Sequence, residues 1–249
     1  MKKVFKWPKH LKKVPFRFCP GCGHSLIHRL VAEAIEKFSI RDKTIGIAPV
    51  GCAVFAYDYF DFDMIEAAHG RPPAIATAMK RVLPDRIIFS YQGDGDLAAI
   101  GTAEIIHAAN RGENITVFFI NNATYGMTGG QMAPTTLINQ KTTTSPAGRS
   151  LLTTGAPMKV CEMIATIECV SLAVRVSVDS ITGVSTTKKM IEKAFSYQME
   201  GKGFSFVEIL SPCPTDWGMS PDNALDWMSN EMSSVFKLGV LKDKWKKEL

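Results

Sequence analysis

The chain has no hydrophobic run approaching the roughly 18 residues that carry a helix across a bilayer, although 46% of its 249 residues are hydrophobic. No membrane span is expected. The amino-terminal stretch is charged and lacks the continuous apolar segment of a secretory signal, so the expected location is cytoplasmic. Internal repeats and low-complexity linkers are missing too, which excludes solenoids and strings of small modules. Cysteine is sparse at six residues. In a cytoplasmic chain these read as thiols or metal ligands rather than as a disulfide framework. The length suits one large α/β domain and argues against two.

Acidic residues are absent from residues 1–17, MKKVFKWPKHLKKVPFR, which hold seven Lys or Arg. The rest of the chain carries 22 basic and 24 acidic residues, so the net charge of +5 belongs to an amino-terminal arm. No repeated aromatic-basic platform accompanies the arm, and nucleic-acid binding is not expected. Its Phe5, Trp7, Leu11, Val14 and Phe16 need apolar contacts, which a partner surface would supply. The expected organisation is an arm over 1–17, a domain over 18–221, and a helical extension over 222–249, amphipathic from about Asn223 to Leu241.

The most informative stretch runs from Arg86 to Gln131. The apolar run Ile87 to Tyr91 has the length of a buried strand and breaks at Gly93-Asp94-Gly95-Asp96. Leu97, Ile100, Ala103 and His107 recur at helical spacing, and a second buried run follows from Ile115 to Ile120. This is a β-turn-α-β unit, and it places Asp94 and Asn121-Asn122 together at the carboxyl edge of a parallel sheet. A carboxylate, an amide oxygen and a nearby backbone carbonyl suit a hard cation such as Mg2+, which keeps phosphate oxygens and water in its other positions. A plain strand-to-helix turn capped by the aspartate is the competing reading.

Cys19-Pro20-Gly21-Cys22-Gly23-His24 holds two thiols in a tight turn, able to reach one metal centre. Cys52 follows a short strand, Thr44 to Ala48, and Cys213 follows the strand Phe204 to Leu210. Three turns thus offer four thiolates. Zinc, an iron-sulfur cluster and a redox disulfide all remain open on spacing alone. A thioredoxin-type site is weakened because no strand precedes the CPGC. Cys161 and Cys169 lie in a helical pattern, KVCEMIATIEC, and read as structural.

Elsewhere, Leu26 to Phe38 traces one face of a helix whose amino end faces the CPGCGH turn. His69-Gly70-Arg71 precedes a helix that opens with proline. Residues 123–157 form a long Thr/Gly/Pro-rich segment, expected to be a functional loop, in which Lys141 and Arg149 read as solvated surface charges. The remainder alternates helix and strand. The expected fold is α/β, a mostly parallel sheet with helices on both faces.

GDG followed by NN after the 25 residues 96–120 resembles the thiamin diphosphate and Mg2+ motif of thiamin-dependent enzymes. Tyr125-Gly126-Met127-Thr128-Gly129-Gly130-Gln131, with CPGCGH, the GC turn, HGR and CPT, resembles the β subunits of 2-oxoacid:ferredoxin oxidoreductases. The resemblance covers nearly all of residues 14–221. It implies a thiamin diphosphate-binding fold with Mg2+ held by Asp94, Asn122 and the main-chain oxygen of Thr124. It also implies a 4Fe-4S cluster on Cys19, Cys22, Cys52 and Cys213. Cofactor contacts would come from Val50, Gly51, Cys52 and Ala53, from His69, from Gly95 and Asp96, and from Gly126, Met127, Thr128, Gly129, Gly130 and Gln131.

The implied activity is oxidative decarboxylation of a 2-oxoacid, branched-chain or 2-oxoglutarate, to acyl-CoA and CO2, with electrons passing to ferredoxin. Implied partners are an α subunit that brings the activating glutamate, further γ and ferredoxin-like δ subunits, ferredoxin and coenzyme A. Two other classes stand beside this one. A non-redox thiamin decarboxylase or carboligase needs no cluster thiols. A zinc-binding interaction module would be colourless and bind no thiamin diphosphate.

Overall fold

The computed structural model describes residues 6–246. Its strands are β1 Thr44–Ala48, β2 Asp63–Glu66, β3 Ile87–Gly93, β4 Thr116–Asn121, β5 Val170–Ser177, β6 Phe204–Leu210 and β7 Gly239–Asp243. They form one sheet in the order β2-β1-β3-β4-β6-β5-β7. Every pairing is parallel except that of β7, which runs antiparallel to β5 at the edge. The helices are α1 His24–Phe38, α2 Ala56–Tyr59, α3 Pro72–Val82, α4 Thr102–Asn110, α5 Leu151–Thr154, α6 Val160–Thr166, α7 Ile181–Met199, α8 Pro214–Trp217, α9 Pro221–Trp227 and α10 Ser233–Val235.

The central strands are apolar on both faces, as a parallel sheet covered by helices requires. Phe89, Tyr91, Phe118, Ile120, Val207 and Ile209 face α1 and α7. Their neighbours in sequence, Ile88, Val117, Phe119 and Phe206, face α4, α6 and Ala76 of α3. The two-residue period thus splits one hydrophobic run into two cores. A smaller cluster of Leu137, Leu210, Met228, Met232 and Phe236 lies beyond the end of β6.

The amino-terminal segment differs from the expectation of an arm whose apolar residues are covered by a partner surface. Leu11 is buried, and Trp7, Phe16 and Phe18 pack on the first core. Trp7 Nε1 donates to the Leu11 carbonyl at 2.7 Å, and the Arg17 N–H donates to Tyr59 Oη at 2.7 Å. The chain itself supplies most of the apolar contacts assigned to a partner, while Val14 stays exposed. Phe5 lies outside the described residues.

The carboxyl-terminal expectation also needs correction. No helix runs from Asn223 to Leu241: α9 gives way to a π-turn at Met228–Met232, then α10, and the chain leaves as strand β7. The reason lies on β5, whose outer edge would otherwise be open. There Arg175 is fully buried, with Nη2 2.9 Å from Glu208 Oε2 and 2.5 Å from Glu162 Oε2. Phe236 covers the guanidinium at 5.3 Å, and the Lys237 carbonyl accepts from Nη1 at 3.2 Å. Residues 222–246 are therefore part of the domain, closing its edge.

Arg149, expected at the surface, is buried as well. It donates to the carbonyls of Ala133, Pro134, Thr136, Thr154, Gly155 and Ala156. Apart from the one-turn helix α5, this cation takes the place of regular secondary structure in organising the 123–157 segment.

Arg175→Ala leaves Glu208 buried without its counter-charge, and such half-broken pairs cost about 3–5 kcal/mol. Denaturant unfolding should show a loss of that order. An unchanged midpoint would mean that the edge does not depend on the pair.

Candidate functional site

Four strand ends meet on the carboxyl edge of the sheet. β1, β3, β4 and β6 are consecutive neighbours, so the Gly51-Cys52 turn, Asp94, Asn122 and Cys213 all come to that edge. The chain leaves β1 for β2 on one side and returns to β3 on the other. Such a reversal of strand order opens a crevice at the carboxyl edge. Here the crevice is lined by Val50, Gly51, Cys52, Ala53, His69, Asp94, Gly95, Asp96, Asn122, Thr124, Gly126, Met127 and Thr128, together with His24 and Tyr125. Gly129, Gly130 and Gln131 do not line it. They form the adjoining turn, in which the Gly130 N–H donates to the Tyr125 carbonyl at 2.9 Å and Gln131 Nε2 to the Thr128 carbonyl at 2.8 Å.

Three oxygen-bearing groups converge in the crevice. Asp94 is buried; its Oδ2 accepts from Thr135 Oγ1 at 2.5 Å and its Oδ1 from the Gly95 N–H at 2.9 Å. The Asn122 amide faces Asp94 Oδ1 at 3.3 Å and the Thr124 carbonyl oxygen at 2.7 Å. The amide oxygen points at both, and it also accepts from the Thr124 N–H at 3.4 Å; only with the amide turned over would its nitrogen donate to them. With its oxygen inward, the amide completes a set of carboxylate, amide and carbonyl oxygens, which is what a hard divalent cation takes. Burial pushes the Asp94 carboxyl from its ordinary 3.8 up to about 7, against the lowering effect of the Thr135 and Gly95 hydrogen bonds.

His69 is fixed from behind. Its Nδ1 makes a short hydrogen bond to Asp96 Oδ1, which also accepts from the Gly70 N–H at 2.7 Å, while Gln92 Nε2 donates to Oδ2 at 2.7 Å. Gly70 has φ +76°, and a Cβ there would run into the backbone of Ile100 and Gly101. Only glycine lets the HGR turn press this closely on the π-turn at Asp96–Ile100. His24 is buried with Nδ1 2.7 Å from Tyr91 Oη, and burial lowers it to about 4. Its imidazole is neutral at pH 7.

The thiols gather on the same edge. In the CPGC turn the Cys22 N–H donates to the Cys19 carbonyl at 3.0 Å, and the Gly23 N–H reaches the Pro212 carbonyl at 3.4 Å. The first cysteine turn thereby packs on the last. Burial pushes the Cys22 thiol up to about 12, helped by Cys52, Cys19 and Asp216. Burial likewise raises Cys52 to about 11, helped by Cys19 and Asp216. Cys213 is raised by burial and by Asp216, whose Oδ2 accepts from its Sγ at 3.1 Å. Among the described residues no three His, Cys, Asp or Glu side chains form a closed metal cage. Cys161 is buried in the second core, whereas Cys169 is exposed.

Sequence reasoning missed Thr135 and Asp216, which touch Asp94 and Cys213. The only signal for Asp216 was its place three residues after a cysteine. Tyr125 was quoted only as part of a motif; its ring fills the space that a Cβ on Gly95 would need.

The family described as thiamine pyrophosphate enzyme, C-terminal TPP binding domain, matches residues 49–209. Fold and site thus define a thiamin diphosphate-binding domain. The chain is 43% identical to the ketoisovalerate oxidoreductase subunit VorA of Methanothermobacter marburgensis, over 98% of this chain and 53% of that one. It is 38% identical to the 2-oxoglutarate synthase subunit KorB of Methanocaldococcus jannaschii, over 83% and 72% respectively. The fold matches a solved 2-oxoglutarate:ferredoxin oxidoreductase from Magnetococcus marinus, which has 2-oxoglutarate, coenzyme A and succinyl-CoA bound. That match has a TM-score of 0.77 at 24% identity and covers 99% of this chain and 88% of the other. The chain belongs to the 2-oxoacid:ferredoxin oxidoreductase family, among its thiamin diphosphate-binding subunits. It spans about half the length of the VorA relatives, 53% and 48%.

In the metal-free protein the Asp94 carboxyl titrates near 7 when folded and near 3.8 when unfolded. Its contribution to stability is therefore full below about pH 4 and is lost as pH rises to about 7. Asp94→Asn keeps the shape and removes the titration, so it should flatten that part of the stability curve. Denaturant unfolding across this range, with metals chelated, checks the sign; a slope equal to that of the unmodified chain would contradict it.

Proposed function

We propose that this chain is the cofactor-holding β subunit of a 2-oxoacid:ferredoxin oxidoreductase, which converts a 2-oxoacid and coenzyme A to acyl-CoA and CO2 while ferredoxin is reduced. The observation that carries this reading is the convergence of Asp94, Asn122 and the Thr124 carbonyl beside four thiols on one sheet edge. Asp94, Asn122 and Thr124 would hold Mg2+ against the diphosphate, with the turns at Val50–Ala53 and Gly126–Thr128 bounding the crevice. His69, held by Asp96, offers a fixed imidazole to the cofactor. Bound thiamin diphosphate supplies the electron sink for the pair left when CO2 departs. Cys19, Cys22, Cys52 and Cys213 would hold a 4Fe-4S cluster, a donor set that iron-sulfur centres commonly use.

The crevice wall contributed here is apolar at Val50, Ala53 and Met127, and among the described residues no Lys or Arg lines it. This favours a branched apolar 2-oxoacid over one with a second carboxylate. Among the described residues no glutamate lines the crevice either, which supports an α subunit as the source of the group that activates the cofactor. Further γ and ferredoxin-like δ subunits fit the same assembly, in the cytoplasm.

Two measurements test this reading. Anaerobically purified protein should be brown and contain iron and sulfide, reduced by Ser at Cys19, Cys22, Cys52 or Cys213 but not at Cys161 or Cys169. Stoichiometric zinc without iron would reject the electron-transfer role. Viologen reduction dependent on 2-oxoacid should be absent for the chain alone and appear with the α subunit, faster for 2-oxoisovalerate than for 2-oxoglutarate. Full turnover by the single chain would reject the divided site.

A further inference from the structure

The Mg2+ site proposed above hangs on a turn in a costly conformation. Ala123, between the proposed ligand residues Asn122 and Thr124, has φ +57° and is fully buried. Residues other than glycine hold this left-handed conformation only where the surroundings impose it. Here three sides do so. The Ala123 carbonyl accepts from Thr136 Oγ1 at 2.7 Å and from Gln140 Nε2 at 3.2 Å. Trp217 Nε1 donates to the Asn122 carbonyl at 3.0 Å. From the sheet side, Asn121 Oδ1 accepts the Ala123 N–H at 3.2 Å.

Asn121 is itself held. Its Nδ2 donates to Glu208 Oε1 at 2.7 Å, and Glu208 Oε2 lies 2.9 Å from Arg175 Nη2. Both charged side chains are fully buried. Arg175 is in turn gripped by Glu162 through both carboxylate oxygens. β5, β6 and β4 carry this chain of contacts across the sheet, with Arg175 opposite Glu208 in register. A strand interior does not need such charges, since well-packed apolar residues of like volume are often as stable or more so. What the charged line does reach is the backbone N–H between the two ligand-bearing residues.

We propose that Arg175, Glu208 and Asn121 act as positioning residues: a buried clamp that fixes the Ala123 turn and so aims Asn122 and the Thr124 carbonyl at the metal. The proposal rests on the Mg2+ reading of the site. Outer contacts of this kind typically change metal affinity by about 10–100-fold when removed.

The test measures Mg2+ affinity of the full chain with thiamin diphosphate by calorimetry, and the rise in Tm that the two ligands bring. Asn121→Ala should weaken Mg2+ binding by about 10–100-fold and shrink that rise. N121D/E208Q exchanges donor and acceptor while keeping the charge of the pair, and it should restore most of the loss. A merely structural role lowers the ligand-free Tm and leaves the ligand-induced rise intact, which would overturn the clamp. If Asn121→Ala does not fold, Thr136→Val probes the same turn from the other side at constant volume. Unchanged Mg2+ affinity in whichever variant folds would equally overturn the proposal. Asp94→Ala separates the two layers of argument. If it abolishes Mg2+-dependent binding while the clamp variants do not, the clamp alone fails; if it too binds normally, the metal reading fails and the clamp with it.

Discussion

Parallel pairing of β1, β3, β4 and β6 is the constraint on which the rest depends. Strands joined through helices on the two faces all point the same way, so four successive connections leave from one edge. Most of each strand interior is spent on two apolar cores, and the candidate ligands stand at the strand ends. Asp94, Asn122, Cys52 and Cys213 are far apart in sequence, yet each stands within a few residues of a strand's last hydrogen bond. The site is built from the places where the sheet stops.

That is also why so much of the site was legible. Asp94 and Asn122 are marked by apolar runs that end abruptly, and a period-two reading of Ile87 to Tyr91 and Ile115 to Ile120 is enough to bring them together. The cysteine turns are marked by Gly and Pro in the same way. Less legible were contacts with no local periodicity. Arg149 sits in a polar stretch that looks solvated, and only the folded chain shows six carbonyls turned toward it. Arg175 and Glu208 interrupt the apolar strands VRVS and VEIL, a visible anomaly whose meaning depends on strand order. The carboxyl-terminal segment has helical spacing through Phe236, yet from Gly239 it joins β5, because an open edge over a buried arginine outweighs local pattern.

The amino-terminal segment shows the reverse case, in which composition misleads about position. Its seven positive charges suggest a solvated arm, but charge and burial sit on different side chains. Lys6 and the Lys9 N–H are tied to Glu36, while Trp7 and Leu11 turn inward. The segment thus helps to roof α1, which follows the CPGC turn directly.

Electrostatics then limits what the crevice accepts. Burial raises both Asp94 and Asp96, and Asp216 stands beside Cys213. Among the described residues no lysine or arginine lines the crevice, and the two imidazoles there are a neutral His24 and a His69 already bound to Asp96. A diphosphate entering alone would meet carboxylates with no cation to offset them. A divalent ion entering alone would find one carboxylate and two neutral oxygens, short of the six or so oxygens such an ion collects. In the proposed reading each ligand supplies what the other lacks: the ion neutralises the diphosphate, and the diphosphate completes the ion's shell. Binding of the two is therefore expected to be strongly cooperative, with each tightening the other by the same factor.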